Sequence, residues 1–160
     1  MSRSSLRHYG GILGLFLLGI LGSVLYPRLR LWLVPGPLTA MELPAGQNCK
    51  PVGIACFTEN DDLSISLRLA SEVQPLSTFS VEVTLEGRQA PAMQTVAVHF
   101  TMPGMEMGVN RFSLTRESGN IWRGQAMLPI CSTGRRDWLA TVQATGNTSY
   151  AGTFSVIAGP

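Results

Sequence analysis

The stretch FSVEVTLEG, residues 79–87, alternates apolar and polar side chains without interruption. Phe79, Val81, Val83 and Leu85 occupy one set of positions, and serine, threonine and glutamate occupy the other. Successive side chains of a strand point to opposite faces, so this pattern predicts a half-buried β-strand. The glycine that ends the stretch is a turn signal.

Six further segments show the same kind of pattern, and turn residues such as Pro103-Gly104 and Gly146-Asn147 separate them. They are residues 63–70, 95–101, 111–117, 121–128, 138–145 and 152–158. About seven strands in about 100 residues, with no helical stretch between them, are typical of an immunoglobulin-like domain. The sequence therefore predicts an all-β, immunoglobulin-like antiparallel β-sandwich over residues 63–160.

The N-terminal part has a different composition. Residues 9–26 carry no charge, and as a helix they would span roughly 27 Å, close to the thickness of a bilayer core. No small-residue cleavage site follows the apolar run, which favours an uncleaved anchor over a signal peptide. We predict a cytoplasmic N-terminus at residues 1–8, one transmembrane helix with an interfacial segment at 9–34, and a Pro/Gly-rich tether at 35–62.

The charge distribution argues against binding of nucleic acid. The formal net charge is +2, but Arg3, Arg7, Arg28 and Arg30 all precede the predicted body. The chain after residue 40 is mildly acidic, with 8 basic and 10 acidic residues, and it shows no basic stripe of the kind that nucleic-acid binders carry. Positive charge is balanced on the two sides of the predicted span, so the charges do not indicate which end of the helix is cytoplasmic. The orientation of the helix is inferred instead from the compartment in which the β-rich body lies.

The cysteines indicate that compartment. Cys49, Cys56 and Cys131 all lie in loop-like segments beside prolines or glycines. Such cysteines favour a structural disulfide in an oxidising compartment, with one thiol left over. Both Cys49–Cys56 and Cys56–Cys131 are compatible with the sequence. A redox or copper-binding dithiol is the less favoured interpretation, because the spacing of Cys49 and Cys56 is not that of a two-residue CxxC motif.

No catalytic motif is recognisable in the sequence. It contains two histidines, and it has no phosphate-binding glycine loop, no nucleophile elbow and no zinc-protease motif. We therefore expect a non-enzymatic protein.

The stretch HFTMPGMEMG, residues 99–108, is the candidate binding motif. Pro-Gly between Met102 and Met105 favours a type II turn that brings these residues together, and Met107 shares a face with Met105 if the chain continues extended. Soft thioether ligands select Cu(I). We predict a Cu(I) site at Met102, Met105 and Met107, with His99 as a fourth ligand only if its strand bends or bulges. The alternative is that the methionines fill the end of the core.

The predicted anchor, the seven-strand body and the MPGMEMG stretch together resemble the YtkA-like family, and the layout is similar to that of FixH-type accessory proteins of haem-copper oxidases. The segments GNIWRGQAMLPI and DWLATV also contribute to this resemblance. It implies a single-pass protein of the bacterial inner membrane with a periplasmic domain. It also implies a role in copper delivery or oxidase assembly, with lipid and a membrane oxidase or copper transporter as partners. The alternatives are a metal-free interaction module and, with less support, a thiol-redox helper using Cys49 and Cys56.

Overall fold

A computed structural model describes residues 20, 40–44, 49–105, 108 and 110–159. The chain divides into two compact units, Met1–Leu38 and Thr39–Pro160. The predicted N-terminus at 1–8 and nearly all of the predicted anchor at 9–34 lie outside the described residues, as does Met107. No helix among the described residues has the length and apolar character needed to cross a bilayer.

The second unit is all-β, as predicted. A 3₁₀ turn, Ala90–Ala92, is the one short helical element that the structure describes in it. Its nine described strands are β1 Met41–Glu42, β2 Ala55–Glu59, β3 Ser64–Leu69, β4 Thr78–Glu86, β5 Thr95–Thr101, β6 Arg111–Ser118, β7 Ile121–Met127, β8 Asp137–Thr145 and β9 Ser149–Ile157.

The strands form one curled sheet in the order β1-β9-β8-β5-β6-β7-β4-β3-β2. Strand β6 joins the two halves, because residues up to Leu114 pair with β5 and residues from Thr115 pair with β7. The curl brings the two edges of the sheet together, because Thr58 in edge strand β2 donates a hydrogen bond to the carbonyl of Pro44, which follows the other edge strand, β1. A Cβ at Gly152 of β9 would lie 2.6 Å from the Thr58 methyl group, so glycine permits this close approach.

The core lies inside the curl and is built from the apolar face of each alternating strand. In β4 the side chains of Phe79, Val81, Val83 and Leu85 are all buried, as the alternation in FSVEVTLEG predicts. Phe79 packs edge-to-face against Phe100 of β5 at 5.8 Å between ring centroids, which joins the two halves of the sheet. Burial of side chains of this size supplies about 1.5–3 kcal/mol each.

Two features of the prediction need correction. The described sheet has nine strands and not about seven, and it is mixed, because β1 pairs parallel to β9. Both additional strands lie within residues 35–62, the segment interpreted as a tether. The alternation of β2 is misleading, since its inward side chains are Cys56 and Thr58 while Phe57 is exposed. A two-residue strand such as β1 has no periodicity to detect.

Candidate metal centre

The predicted turn at the end of β5 is present. The backbone N–H of Met105 donates to the carbonyl oxygen of Met102 at 3.1 Å. Gly104, the third residue of the turn, has a φ of +74°. A positive φ at this position is what a type II turn requires, and glycine adopts it without steric cost. Local sequence therefore determines the shape of this turn.

The methionines of the motif differ in accessibility. Met102 continues the inward face of β5 and is 2% exposed, whereas Met105 is half-buried and packs against the core. The side chain of Met105 is thus partly accessible, whereas that of Met102 is part of the core. For comparison, Met93 is fully buried and Met127 is exposed, and both belong to other parts of the chain.

A second sulfur atom lies next to Met105. The thiol of Cys131 donates a weak hydrogen bond to Met105 Sδ at 3.5 Å. The same thiol is 3.0 Å from the hydroxyl of Thr133. Cys131 is a free cysteine and is buried. In the sequence Cys131 is only a disulfide candidate, and no local signal connects it with the methionines.

Strand pairing explains this contact. Strand β5 pairs antiparallel with β8, with Thr101 opposite Leu139, so the end of β5 and the start of β8 share one end of the sheet. Residues 131–134 form a turn just before β8, in which the N–H of Gly134 donates to the carbonyl of Cys131 at 3.0 Å. The 102–105 turn and the 131–134 turn are therefore neighbours in space although 26 residues separate Met105 from Cys131.

Arg135 connects the two turns. Its Nη1 donates to the carbonyl oxygen of Pro103 at 2.8 Å, and its Nε donates to Asp137 Oδ1 at 3.0 Å. A further hydrogen bond joins Arg135 Nη2 to Asp137 Oδ2. The planar guanidinium suits this bidentate arrangement. Arg135 thus holds the methionine turn in place from the segment that carries Cys131.

The electrostatic environment beside the two turns favours the charged forms of Cys131, Arg135 and Asp137. The hydrogen bond with Thr133 lowers the pKa of the Cys131 thiol, and the charge of Arg135 acts in the same direction. The hydrogen bonds from Arg135 lower the pKa of Asp137, and Asp137 raises the pKa of Arg135 in return. A thiol whose pKa is lowered is more readily present as a thiolate, the form that binds metals.

The structure does not bring His99 to the methionines. Its register with β8 is unbroken from Thr95 to Thr101, so β5 contains no bulge that would turn His99 towards Met102. His99 lies on the opposite face of β5, where it is paired with Arg111 and Thr141. The bend or bulge that a histidine ligand requires is therefore not present in this strand.

The predicted disulfide is present as Cys49–Cys56. The alternative pair, Cys56–Cys131, is not formed. The bridge links the segment before β2 to that strand, where Cys56 lies opposite Leu67 of β3. This result leaves Cys131 as the one free thiol among the three cysteines of the chain.

The chemistry of the donors determines which ions fit. Among the residues that the structure describes, no three His, Cys, Asp or Glu side chains gather in one place. The pair of Met105 and Cys131 instead offers a thioether and a thiol, and ligands of this type select Cu(I). Comparisons with protein-family models and with curated proteins give no match for this chain.

Proposed function

We propose that the chain is a non-enzymatic, membrane-held periplasmic protein whose immunoglobulin-like sandwich binds Cu(I) at the 102–105 turn. Met105 is the accessible ligand, Met102 is part of the core, and Met107 follows two residues later. The proposed role is delivery of copper to a membrane oxidase or transporter, or assembly of such a complex. This role follows the resemblance to YtkA-like and FixH-type proteins.

One observation carries the metal-binding part of the proposal. The turn presents Met105 half-buried at the end of the sheet, with its sulfur turned towards another sulfur rather than sealed inside the core. Met93 is buried in the core and Met102 is buried to nearly the same extent, so Met105 is the described methionine of the turn that an ion can reach. An accessible thioether is a weak ligand that releases its ion to a stronger site, and this property suits delivery.

Two further features support the location. The Cys49–Cys56 disulfide is typical of proteins from oxidising compartments such as the periplasm. The uncharged stretch at residues 9–26 is long enough to form a membrane anchor. The sheet order, in which β6 is shared between two packed halves, is compatible with a sandwich of immunoglobulin-like type.

Competition for Cu(I) tests the proposal. The full chain, purified in detergent, is titrated against a chromogenic Cu(I) chelator. We expect uptake of about one Cu(I) per chain, because the turn forms a single cluster. Replacement of Met102, Met105 and Met107 by leucine keeps the volume of the side chains nearly constant and removes the sulfur atoms. We expect this variant to bind Cu(I) at least about tenfold more weakly.

The chain offers matched controls for this experiment. Met93→Leu changes a buried methionine and Met127→Leu an exposed one, and both lie away from the turn. We expect these variants to bind Cu(I) like the wild type. Equal affinity of the wild type and the triple leucine variant would contradict the proposal.

A specific observation also favours the second candidate, a metal-free interaction module. Ile130, next to Cys131, is 62% exposed, and Leu76 is 60% exposed. The N–H of Leu76 donates to the carbonyl of Leu128, which places both apolar side chains in the same region. A contiguous exposed apolar patch is a mark of a contact surface. If docking is the function, Leu76→Ser with Ile130→Ser will abolish it, whereas the triple leucine variant will dock normally.

A further inference from the structure

We propose that Cys131 is a ligand of the metal together with Met105, so that the site is a mixed thiolate–thioether centre formed by two separate turns. This inference rests on the proposed function and adds to it a ligand that the motif HFTMPGMEMG does not contain. In this site Cys131, which precedes β8, takes the place that the sequence analysis gave conditionally to His99 of β5.

The first argument is the distance between the two sulfur atoms. A metal–thiolate bond is about 2.3 Å long, so two sulfur atoms that bind one ion lie at most about 4.6 Å apart. Cys131 Sγ and Met105 Sδ are separated by 3.5 Å. One ion can therefore bind both atoms without a large movement of either turn.

The second argument is that the thiol of Cys131 is available. Because Cys49 and Cys56 are bonded to each other, the chain holds no other thiol with which Cys131 could form a disulfide. Cys131 is 8% exposed, so an oxidising solvent reaches it poorly. The thiol thus has no partner in the chain and reacts only slowly with small reagents in solution, so it stays available as a ligand and its alkylation can still be followed.

The third argument is that hydrogen bonds of the two turns hold both ligands in place. Arg135 fixes the Met turn through the Pro103 carbonyl, and it follows the turn that carries Cys131 by one residue. Met102 and Met105 are also joined by an antiparallel bridge across their turn. A preformed pair of donor atoms loses less entropy on binding an ion than two independent side chains.

Alkylation of the thiol tests the inference without any substitution. The full chain in detergent is treated with iodoacetamide, with and without one equivalent of Cu(I), and adducts are counted by intact mass. Since Cys131 is the only free thiol, one adduct reports on it alone. We expect Cu(I) to slow its formation about tenfold or more. Met127→Leu serves as a control and is expected to show the same protection.

The affinity of a Cys131→Ser variant provides the second measurement. Loss of an outer-shell partner typically weakens metal binding about 10- to 100-fold, and loss of a ligand should cost at least as much. We therefore expect roughly a hundredfold weaker Cu(I) binding. A Cys131→Ala variant and the thermal midpoints of both variants show whether the fold is retained, and a folded variant with weak binding supports the inference.

The outcomes separate this inference from the proposed function. Wild-type affinity in a folded Cys131→Ser variant, or alkylation at the same rate with Cu(I) bound, overturns the role of Cys131 while the methionine site stands. Absence of Cu(I) uptake by the wild-type chain overturns both proposals. Weak binding by Cys131→Ser with normal binding by the triple leucine variant overturns both the methionine site and the mixed centre, because that variant lacks the thioether of Met105.

Discussion

The two ends of the sheet are built in different ways. At the closed end, which holds the loops around residues 87–92 and 146–148, Gly87 and Gly146 lie directly against backbone. A Cβ at Gly146 would overlap the carbonyl oxygen of Ala92, and a Cβ at Gly87 would lie 2.6 Å from the carbonyl oxygen of Asp62. At the sulfur end, which holds the turns 102–105 and 131–134, Gly104 and Gly134 have no heavy atom within 4 Å of such a Cβ.

Strand β8 runs from one end to the other, from Asp137 at the sulfur end to Thr145 at the closed end. The closed end is thus fixed by close packing, which tolerates little change. The sulfur end is fixed by the positive φ of its glycines and by the hydrogen bonds of Arg135. Space beside Gly104 and Gly134 remains open.

The largest expected effect is a difference in stability between glycine variants of the two ends. We expect Gly146→Ala to lower the free energy of unfolding by about 3 kcal/mol, because the new methyl group meets backbone that cannot move aside. Gly104→Ala should cost only about 1 kcal/mol, the strain of a left-handed conformation. Urea unfolding of the full chain measures both values.

Gly119 makes this comparison sharper. It belongs to the β6–β7 hairpin, which lies at the closed end because Ile121 pairs with Thr84 near the end of β4. It has a φ of +51°, and an added Cβ there would meet no heavy atom within 4 Å. We expect Gly119→Ala to resemble Gly104→Ala. Equal losses of stability in Gly146→Ala and Gly104→Ala would mean that the two ends do not differ in packing.

Much of the closed end and of the sheet can be predicted from the sequence. The seven predicted strands all occur, and most of them have an apolar face with a period of two, as FSVEVTLEG does, although in β6 only Leu114 is buried. The turn at Met102–Met105 can be predicted as well, because Pro103 and Gly104 determine it locally. Signals confined to neighbouring residues are sufficient in these cases.

The composition of the sulfur end cannot be predicted in the same way. The contact between Met105 and Cys131 depends on which strands pair, and a single sequence does not state that β5 lies beside β8. Pro129 and Gly134 around Cys131 indicate a loop, but nothing indicates the end of the sheet at which this loop lies. Strand β2 escapes prediction because it has only two inward residues, Cys56 and Thr58, while its one large apolar side chain, Phe57, faces outward.

An intermediate effect is expected from Arg135, the residue that joins the two turns. Arg135→Gln removes the hydrogen bonds to Asp137 and to the Pro103 carbonyl. Stability should change little, because the ion pair is exposed to solvent. The Cu(I) affinity should fall about tenfold, the usual effect of losing a residue that orients a ligand. Chelator competition with the full chain measures this change.

Arg123→Gln is the matched control for Arg135. Arg123 also forms ion pairs with two carboxylates, Glu82 and Glu117, but it lies on β7 away from the sulfur end. Its Cu(I) affinity should equal that of the wild type. Arg135→Lys should not restore affinity, since an ammonium group cannot bind the carboxylate and the carbonyl with the same geometry. Full rescue by lysine would show that charge alone is sufficient.

The smallest expected effect is a dependence of stability on pH at the sulfur end. Arg135 lowers the pKa of Asp137 in the folded protein, so the folded state binds this proton more weakly than the unfolded state. The contribution of the pair is present above the ordinary aspartate pKa of about 3.9 and is lost as the pH falls through the folded pKa. The difference in thermal midpoint between wild type and Asp137→Asn should therefore shrink from pH 6 towards pH 3. Arg135→Gln should show the same convergence, and the double variant should add nothing to it. A difference that stays constant with pH would mean that Asp137 supports this end through packing, as glycines support the other end, and not through its charge.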